Sequence, residues 1–557
     1  MLVPGALLAL AVATSPAGTL WKIDGTILDP VAMSIDRRHD PAYACTGELS
    51  GRDGHQVGDD INFWALDHST PSPTFYITPA TCRYVGEDCY IFVEDSQWNV
   101  HYDQQAVDEL AAALDDSTPG GHGGILDTDV QFFGPIPDEL DGDPKVYFLV
   151  LDIRDGYDPS SSEPQLVILG YFSPYNQFTD TEAWLYYGGH SNECEMLYID
   201  CFPSEMGDAS YVSSHELVHL IQWGIKPFSG EELWVIENQA QTGVYLCGYP
   251  AEQVETFLDA GGVTPIKWTG YPDDERYVAG YGAGFLWFAW LFENYGGADF
   301  VWNSMRATSR GLAGVSASIE QATGYPPDMD VVLRDWMLAN WIDDTSFGSG
   351  IYGYGSFRLA DYDTGGNRAG LDFNGVVEST PWADPWHSMN SYSGDYYRIE
   401  PGLTGSFRAE GSGIGRLEAF VYDSTGGTLT ELDTGSANDV ALPLSQECDV
   451  LLLCNSFAIL DLDVSAGSIQ GSGQDFAVYP DPCFGDLYFQ FMSSGEAVTL
   501  SVFDTAGGHV ETVRFATPGT GEVTLTYQGA SELAGGVYFF RFAQGSHVET
   551  GKFAALR

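Results

Sequence analysis

Basic residues are scarce in this chain of 557 residues: 22 Lys and Arg stand against 79 Asp and Glu, a formal net charge of −57. That deficit excludes nucleic-acid binding, which needs a basic footprint, and disfavours anionic membrane surfaces. Long apolar runs are also missing. No stretch beyond the N-terminus offers eighteen consecutive apolar residues, so the sequence predicts no transmembrane segment. None of the nine cysteines has zinc-finger spacing. EF-hand loops are absent as well. Asp152-x-x-Asp155-x-x-Asp158 and Asp127-x-Asp129 come nearest to calcium clusters, and both read better as solvated acidic loops. Calcium remains the second metal to test.

What is present begins with an apolar run from Leu2 to Ala13, ending in the small-x-small site Ala11-Val12-Ala13. It is too short to span a bilayer and predicts an export signal within residues 1–19. The turn-rich residues 20–60 read as an N-terminal extension or propeptide. Nine cysteines suit an exported, oxidised protein. Cys82 and Cys89 flank a hairpin turn and are expected to bridge; Cys194 and Cys201 are a second candidate pair. Cys448 and Cys454, if they end one straight strand, lie about 20 Å apart and do not bond each other.

The chemistry concentrates in His215-Glu216-Leu217-Val218-His219 and in Glu237 beyond it. Asp208 to Trp223 contains no Pro or Gly and carries apolar residues at helical spacing, so it predicts a helix. Residues four apart share a helix face, which puts both imidazoles before one metal ion. Glu216 then sits beside the open metal position as a candidate general base. The alternative for Glu216 is structural: Ser213-x-x-Glu216 also fits a helix-capping box. A second helix, led by Glu231 and Glu232, carries Glu237 amid Leu233-Trp234-Val235-Ile236. A carboxylate in such a run needs a partner, because burying it alone is costly. Two His and one Glu make the ligand set of a hydrolytic zinc centre.

Several residues compete for the role of oxyanion donor. Tyr281 opens a Tyr-x-x-Gly stretch that enters an apolar helix, although Tyr277, Tyr281, Phe285 and Phe288 also fit plain core spacing. His190 and His122, each in a glycine-rich loop, are the lesser candidates.

His-Glu-x-x-His followed by Trp234-x-x-Glu237-x-x-Ala240 resembles the gluzincin clan of zinc metallopeptidases. The wider text resembles secreted bacterial hyicolysin-like peptidases, through Ser191-Asn192-Glu193, Glu195 to Asp200, and Tyr281 to Gly296. The resemblance implies zinc held by His215, His219 and Glu237, Glu216 as catalytic base, and a peptide or protein substrate. Tyr281 is similar to the tyrosine segment of gluzincin aminopeptidases. The metzincin pattern does not fit, because its Gly and third His would fall on Gln222 and Ile225. One departure stands out: the family commonly reads Trp-x-Asn-Glu-Gly at the third ligand, where this chain has Trp234-Val235-Ile236-Glu237-Asn238.

The order of elements is multidomain. Strands, including the apolar run Lys145 to Asp152, precede the metal helix, and helices follow it to Asp344. This predicts an α+β zinc metallopeptidase domain over 61–345, a linker over 346–389, and two all-β sandwich domains over 390–470 and 474–557. The last module, with Val478-Tyr479-Pro480-Asp481-Pro482, Val498 to Gly507 and Gly535 to Arg541, resembles the C-terminal sorting domain of the bacterial type IX secretion system. That resemblance implies export across an outer membrane and the secretion machinery as a partner. The expectation is therefore a secreted or cell-surface zinc peptidase. Its rival is an exported binding or adhesion protein with an inactive peptidase-like domain.

Overall fold

The computed structural model describes residues 20–24 and 54–555. The exceptions are 71–72, 139, 163–164, 204–205, 227, 229, 261, 268–274, 363–369, 404–405, 436–437, 445–446, 468–475, 480–486, 504, 506–507, 517–519, 530–532 and 546. The expected export signal (1–19), most of the 20–60 extension, Cys45 and Cys483 lie outside the described residues. The chain divides into two units, Met1–Ala466 and Gly467–Arg557.

The first unit is built around a mixed sheet of seven strands. In chain order these are β1 (Leu20–Asp24), β2 (Asp60–Asp67), β3 (Thr74–Val85), β4 (Cys89–Glu94), β5 (Val146–Leu151), β6 (Gln165–Phe172) and β7 (Met196–Asp200). Their order across the sheet is β1-β6-β7-β5-β4-β3-β2. The middle strands β4, β5 and β7 run parallel, and β6 is antiparallel to β7. Side chains alternate between two cores, as a period of two requires. Phe148, Val150, Leu197 and Ile199 enter one core, while Tyr147, Leu149, Met196 and Tyr198 enter the other. Both faces of β5 are buried, which explains why its sequence is continuously apolar rather than alternating.

Two expectations change here. Part of the 20–60 stretch, Leu20–Asp24, is an edge strand of this sheet, paired parallel to β6 with Ile23 opposite Ile168. The cysteine pairing also fails. Hairpin register sets Cys82 opposite Phe92, not Cys89, after a shift between Cys82 and Tyr84. Cys82 consequently packs in one core and Cys89 in the other, and neither forms a disulfide. Cys194 and Cys201 are divided between the same two cores. Cys448 and Cys454 do end a single strand, β15 (Cys448–Cys454), and neither is in a disulfide.

Helices cover the first core. The earliest are α1 (Gln104–Ala111) and α2 (Ile125–Phe133); α3 (Met206–Ile225) and α4 (Leu233–Cys247) carry the candidate ligands. Behind them come α5 (Gln253–Ala260), α6 (Glu275–Asn294), α7 (Ala298–Arg306), α8 (Gly311–Thr323) and α9 (Met329–Ile342). Among the described residues, no helix is long and apolar enough to cross a membrane.

After two short 3-10 turns, Gly348–Gly350 and Leu359–Tyr362, the first unit continues as β sheet. Five strands in the order β13-β12-β15-β10-β8 face four in the order β14-β11-β16-β9, and apolar residues of both sheets share one core. β10 is Ser393–Ile399, β12 is Leu417–Asp423, β13 is Thr428–Leu432, and the second sheet takes β11 (Ser406–Gly413), β14 (Asp439–Pro443) and β16 (Leu460–Gly467). β8 (Gly375–Val377) and β9 (Trp382–Met389) belong to these sheets, so the last part of the expected linker is paired strand. The outer face of the five-stranded sheet meets α9. Trp341 stacks on Tyr396 at 4.6 Å and 5°, and its indole N–H donates to Asp449 at 3.1 Å.

The second unit is all β. One sheet is β17 (Phe476–Tyr479), β18 (Leu487–Ser494) and β21 (Thr520–Tyr527). The other takes β19 (Val498–Phe503), β20 (His509–Phe515), β22 (Gly536–Gln544) and β23 (His547–Ala555). Leu487, Phe489 and Phe491 of the first sheet pack with Val498, Leu500, Val502, Phe540 and Phe542 of the second.

Candidate active site

The site depends on three close approaches, and each falls on a glycine. A Cβ on Gly170 of β6 would lie 2.6 Å from the Tyr198 carbonyl oxygen and 2.8 Å from Val212, so only glycine lets α3 settle this close to the sheet. On α4, a Cβ at Gly243 would meet the Ser214 carbonyl oxygen at 2.5 Å and Val218 at 2.6 Å. That contact brings α4 against α3. On α6, a Cβ at Gly284 would sit 2.0 Å from Asn238 Oδ1. Contacts below about 3 Å are beyond what a packed core absorbs without shifting.

With α3 and α4 in contact, His215, His219 and Glu237 converge. His215 Nε2 and His219 Nε2 lie 3.1 Å apart. Glu237 Oε2 is 3.2 Å from the first and 3.7 Å from the second. A point about 2 Å from all three atoms lies just off their plane, which matches Zn–N and Zn–O bonds of roughly 2.0–2.2 Å. All three residues are buried, at 2%, 0% and 0% exposure. Neither oxygen of Glu237 accepts a hydrogen bond. A fully buried carboxylate without hydrogen bonds is costly, and a cation held by these three atoms offsets that cost. The donor set is therefore a fit for zinc on this chain's own geometry.

The imidazole of His219 is oriented from behind. Its Nδ1–H donates to Gln222 Oε1 at 2.8 Å. Gln222 cannot turn its amide the other way, because its Nε2 donates to the Ile236 carbonyl and to Gln239 Oε1, both at 2.9 Å. Gln239 in turn donates to Ser304 Oγ at 3.3 Å. With the proton on Nδ1, the Nε2 lone pair of His219 faces His215 and Glu237. Gln222→Leu is expected to lower zinc affinity about 10–100-fold with the fold intact. Competition against a zinc-binding dye measures this, and an unchanged affinity removes Gln222 from the account.

Glu216 is buried on α3, its Cγ 3.6 Å from where a Gly170 Cβ would stand. Ser213 and Glu216 both lie well inside the helix, which overturns the capping-box alternative. Tyr281 is 1% exposed, with its ring 6.2 Å from that of His215 and 6.1 Å from that of Tyr277, so it belongs both to the core and to the rim of this cluster. A small void beside His215 is lined by Tyr281, Gln253, Gln241, Tyr211 and Ile23 of β1. Asn238, the departure next to the candidate third ligand, packs between helices: its Nδ2 donates to the Pro265 carbonyl at 3.1 Å.

The other candidates are held elsewhere by structural contacts. His190 stacks on Trp64 at 3.7 Å and pairs with Asp180 at 2.9 Å, and His122 sits edge-on to Phe132. Asp155 accepts from the backbone N–H groups of Tyr157 and Ile168, and Asp158 from Ser160, so these acids fasten turns. Asp129 is not on a solvated loop. It is fully buried on α2, and burial pushes its carboxyl well above the usual range. The sequence reading missed Gln222 and the glycine contacts. It also missed a second group of acids, Asp138, Asp141 and Glu195, whose Asp-x-x-Asp spacing on one loop was the available signal.

Among solved structures, a Ruminococcus gnavus beta-glucuronidase in complex with uronic isofagomine is 14% identical, with 30% of this chain and 34% of that chain covered at a TM-score of 0.15. A Dictyoglomus thermophilum beta-D-glucuronidase is 11% identical, with 32% and 42% covered at 0.17. Among curated proteins, the neutral metalloprotease ShpI of Staphylococcus hyicus is 24% identical over 220 residues, which is 36% of this chain and 46% of that protein. The chain thus spans about half the length of that relative, and the resemblance to a metallopeptidase is distant. Residues 477–555 match the family of secretion system C-terminal sorting domains. The chain accordingly ends in a sorting domain, and it is exported by type IX secretion to the cell surface or beyond.

Proposed function

We propose that the chain is an exported zinc-dependent peptidase. The observation that carries this reading is the convergence of His215 Nε2, His219 Nε2 and Glu237 Oε2 within 3.1–3.7 Å in a buried cluster beside Glu216. Distant similarity to a neutral metalloprotease supports it.

His215, His219 and Glu237 would hold the zinc, which when bound would polarise a scissile carbonyl and make a water acidic enough to be deprotonated near pH 7. Glu216 takes the proton from the attacking water and delivers it to the leaving amine as the C–N bond breaks. Tyr281 donates its hydroxyl to the oxygen on which negative charge develops. His219 is held by Gln222 so that its lone pair keeps its direction throughout. Ile23 of β1 lines the small void beside His215 together with Tyr281.

The test is cleavage of an unfolded protein substrate by the intact chain, with and without a zinc chelator. Cleavage that stops on chelation and returns with added zinc is the expected result. No cleavage from protein that retains its zinc supports the exported binding protein instead.

A further inference from the structure

We infer that Asp138, Asp141 and Glu195 form a calcium site in the first unit, separate from the zinc cluster. β5 and β7 are parallel neighbours, so the loop entering β5 and the residue entering β7 meet at one end of the sheet. The loop supplies Asp138 and Asp141, and Glu195 immediately precedes β7. One carboxylate oxygen from each lies within 4.8 Å of the other two.

Three acids near one another are not a site by themselves. Glu195 is the independent observation. It is 2% exposed, and neither of its carboxylate oxygens accepts a hydrogen bond of acceptable geometry. Gln177 lies beside it and eases its charge, yet the Gln177 Nε2 is itself without a hydrogen bond. Asp141 is buried too, at 5% exposure. Burial, with repulsion from Asp141 and Asp138, pushes the Glu195 carboxyl up to about 8. Among the described residues, the side chains that act most on it are Asp141, Asp138 and Gln177, none of them basic. The nearest in sequence, Lys145, donates its ammonium to the backbone carbonyls of Gly86 and Glu87. Asp143, the remaining acid on the loop, is occupied: it accepts from the Tyr90 hydroxyl at 2.7 Å and from the Lys145 backbone N–H at 3.2 Å.

Two buried carboxylates set against each other and a third are expensive without a cation. An all-oxygen donor set selects a hard ion over zinc. Calcium accepts irregular carboxylate geometry and completes its shell with water or backbone oxygens, whereas magnesium demands a near-ideal octahedron.

The test uses the full chain, dialysed free of calcium with its zinc content verified as constant, and reads thermal unfolding as calcium or magnesium is added. Calcium is expected to raise the unfolding temperature by about 3–8 °C at saturation, and magnesium at equal concentration by much less. Asp138→Asn, a change at an exposed residue, should raise the calcium concentration at half-effect at least about tenfold. Glu195→Gln should remove the calcium response while leaving the calcium-free protein as stable or more so. No calcium response overturns the inference. So does a response in both variants equal to the parent's, which would assign the binding to other acids of this highly anionic chain. Should Glu195→Gln fail to fold, Asp138→Asn decides alone.

Discussion

Replacing Glu216 with glutamine is expected to leave zinc bound and to lower peptide cleavage by about 10²–10⁴-fold, the usual contribution of a positioned general base. Glutamine matches glutamate in shape, so the packing of α3, through Val212 and residue 216, against Gly170 is undisturbed, and none of the three proposed ligands is touched. What is lost is the acceptor for the proton of the attacking water. Zinc per chain and the rate of cleavage, measured on the same preparation, separate the roles. Zinc content that falls with activity would make Glu216 a ligand or a structural residue. Activity that survives would remove it as the base.

Glu237→Ala is expected to do the reverse and take the metal away. Two imidazoles alone hold zinc far less firmly than two imidazoles and a carboxylate. The loss of affinity should exceed the roughly 10–100-fold attached to an outer partner such as Gln222. A second variant checks the sign. In metal-free protein, Glu237→Gln should unfold at a higher temperature than the parent, because a neutral amide is cheaper to bury than an unsolvated carboxylate. In zinc-loaded protein the order should invert, since the parent gains more from the ion. Parent and variant that respond equally to zinc would place the third ligand elsewhere.

The proposed ligands were legible in the sequence as a group because they are tied to local periodicity. His215 and His219 sit four apart on a stretch with no helix breaker, and Glu237 is an acid inside an apolar helix. The buried strand Val146–Leu151 and the β-rich C-terminal region were legible for the same reason, as runs whose spacing shows in the residues themselves. What escaped the reading depends on tertiary contact. Gly243 and Gly284 read as ordinary helix residues until the neighbouring helix is in place. Gln222 stood out in the sequence only as the position where another family keeps a glycine, and its amide finds His219, Ile236 and Gln239 only in the folded chain. Cys82 and Cys89 looked like a pair because they flank a turn, but a shifted register sent them to opposite faces of the sheet. Asp138 and Asp141 share an Asp-x-x-Asp spacing on one loop, but that spacing does not reveal Glu195, which lies far along the chain.

The most direct test of the central claim is zinc-edge X-ray absorption on the intact, purified chain. The account predicts a shell of nitrogen and oxygen at roughly 2.0–2.2 Å, two of the donors with the outer-shell scattering of imidazole, and no sulfur. The Glu237→Ala chain should lose that shell along with its zinc. Thiolate scattering near 2.3 Å, or a single imidazole, would show that the zinc is held by residues other than His215, His219 and Glu237.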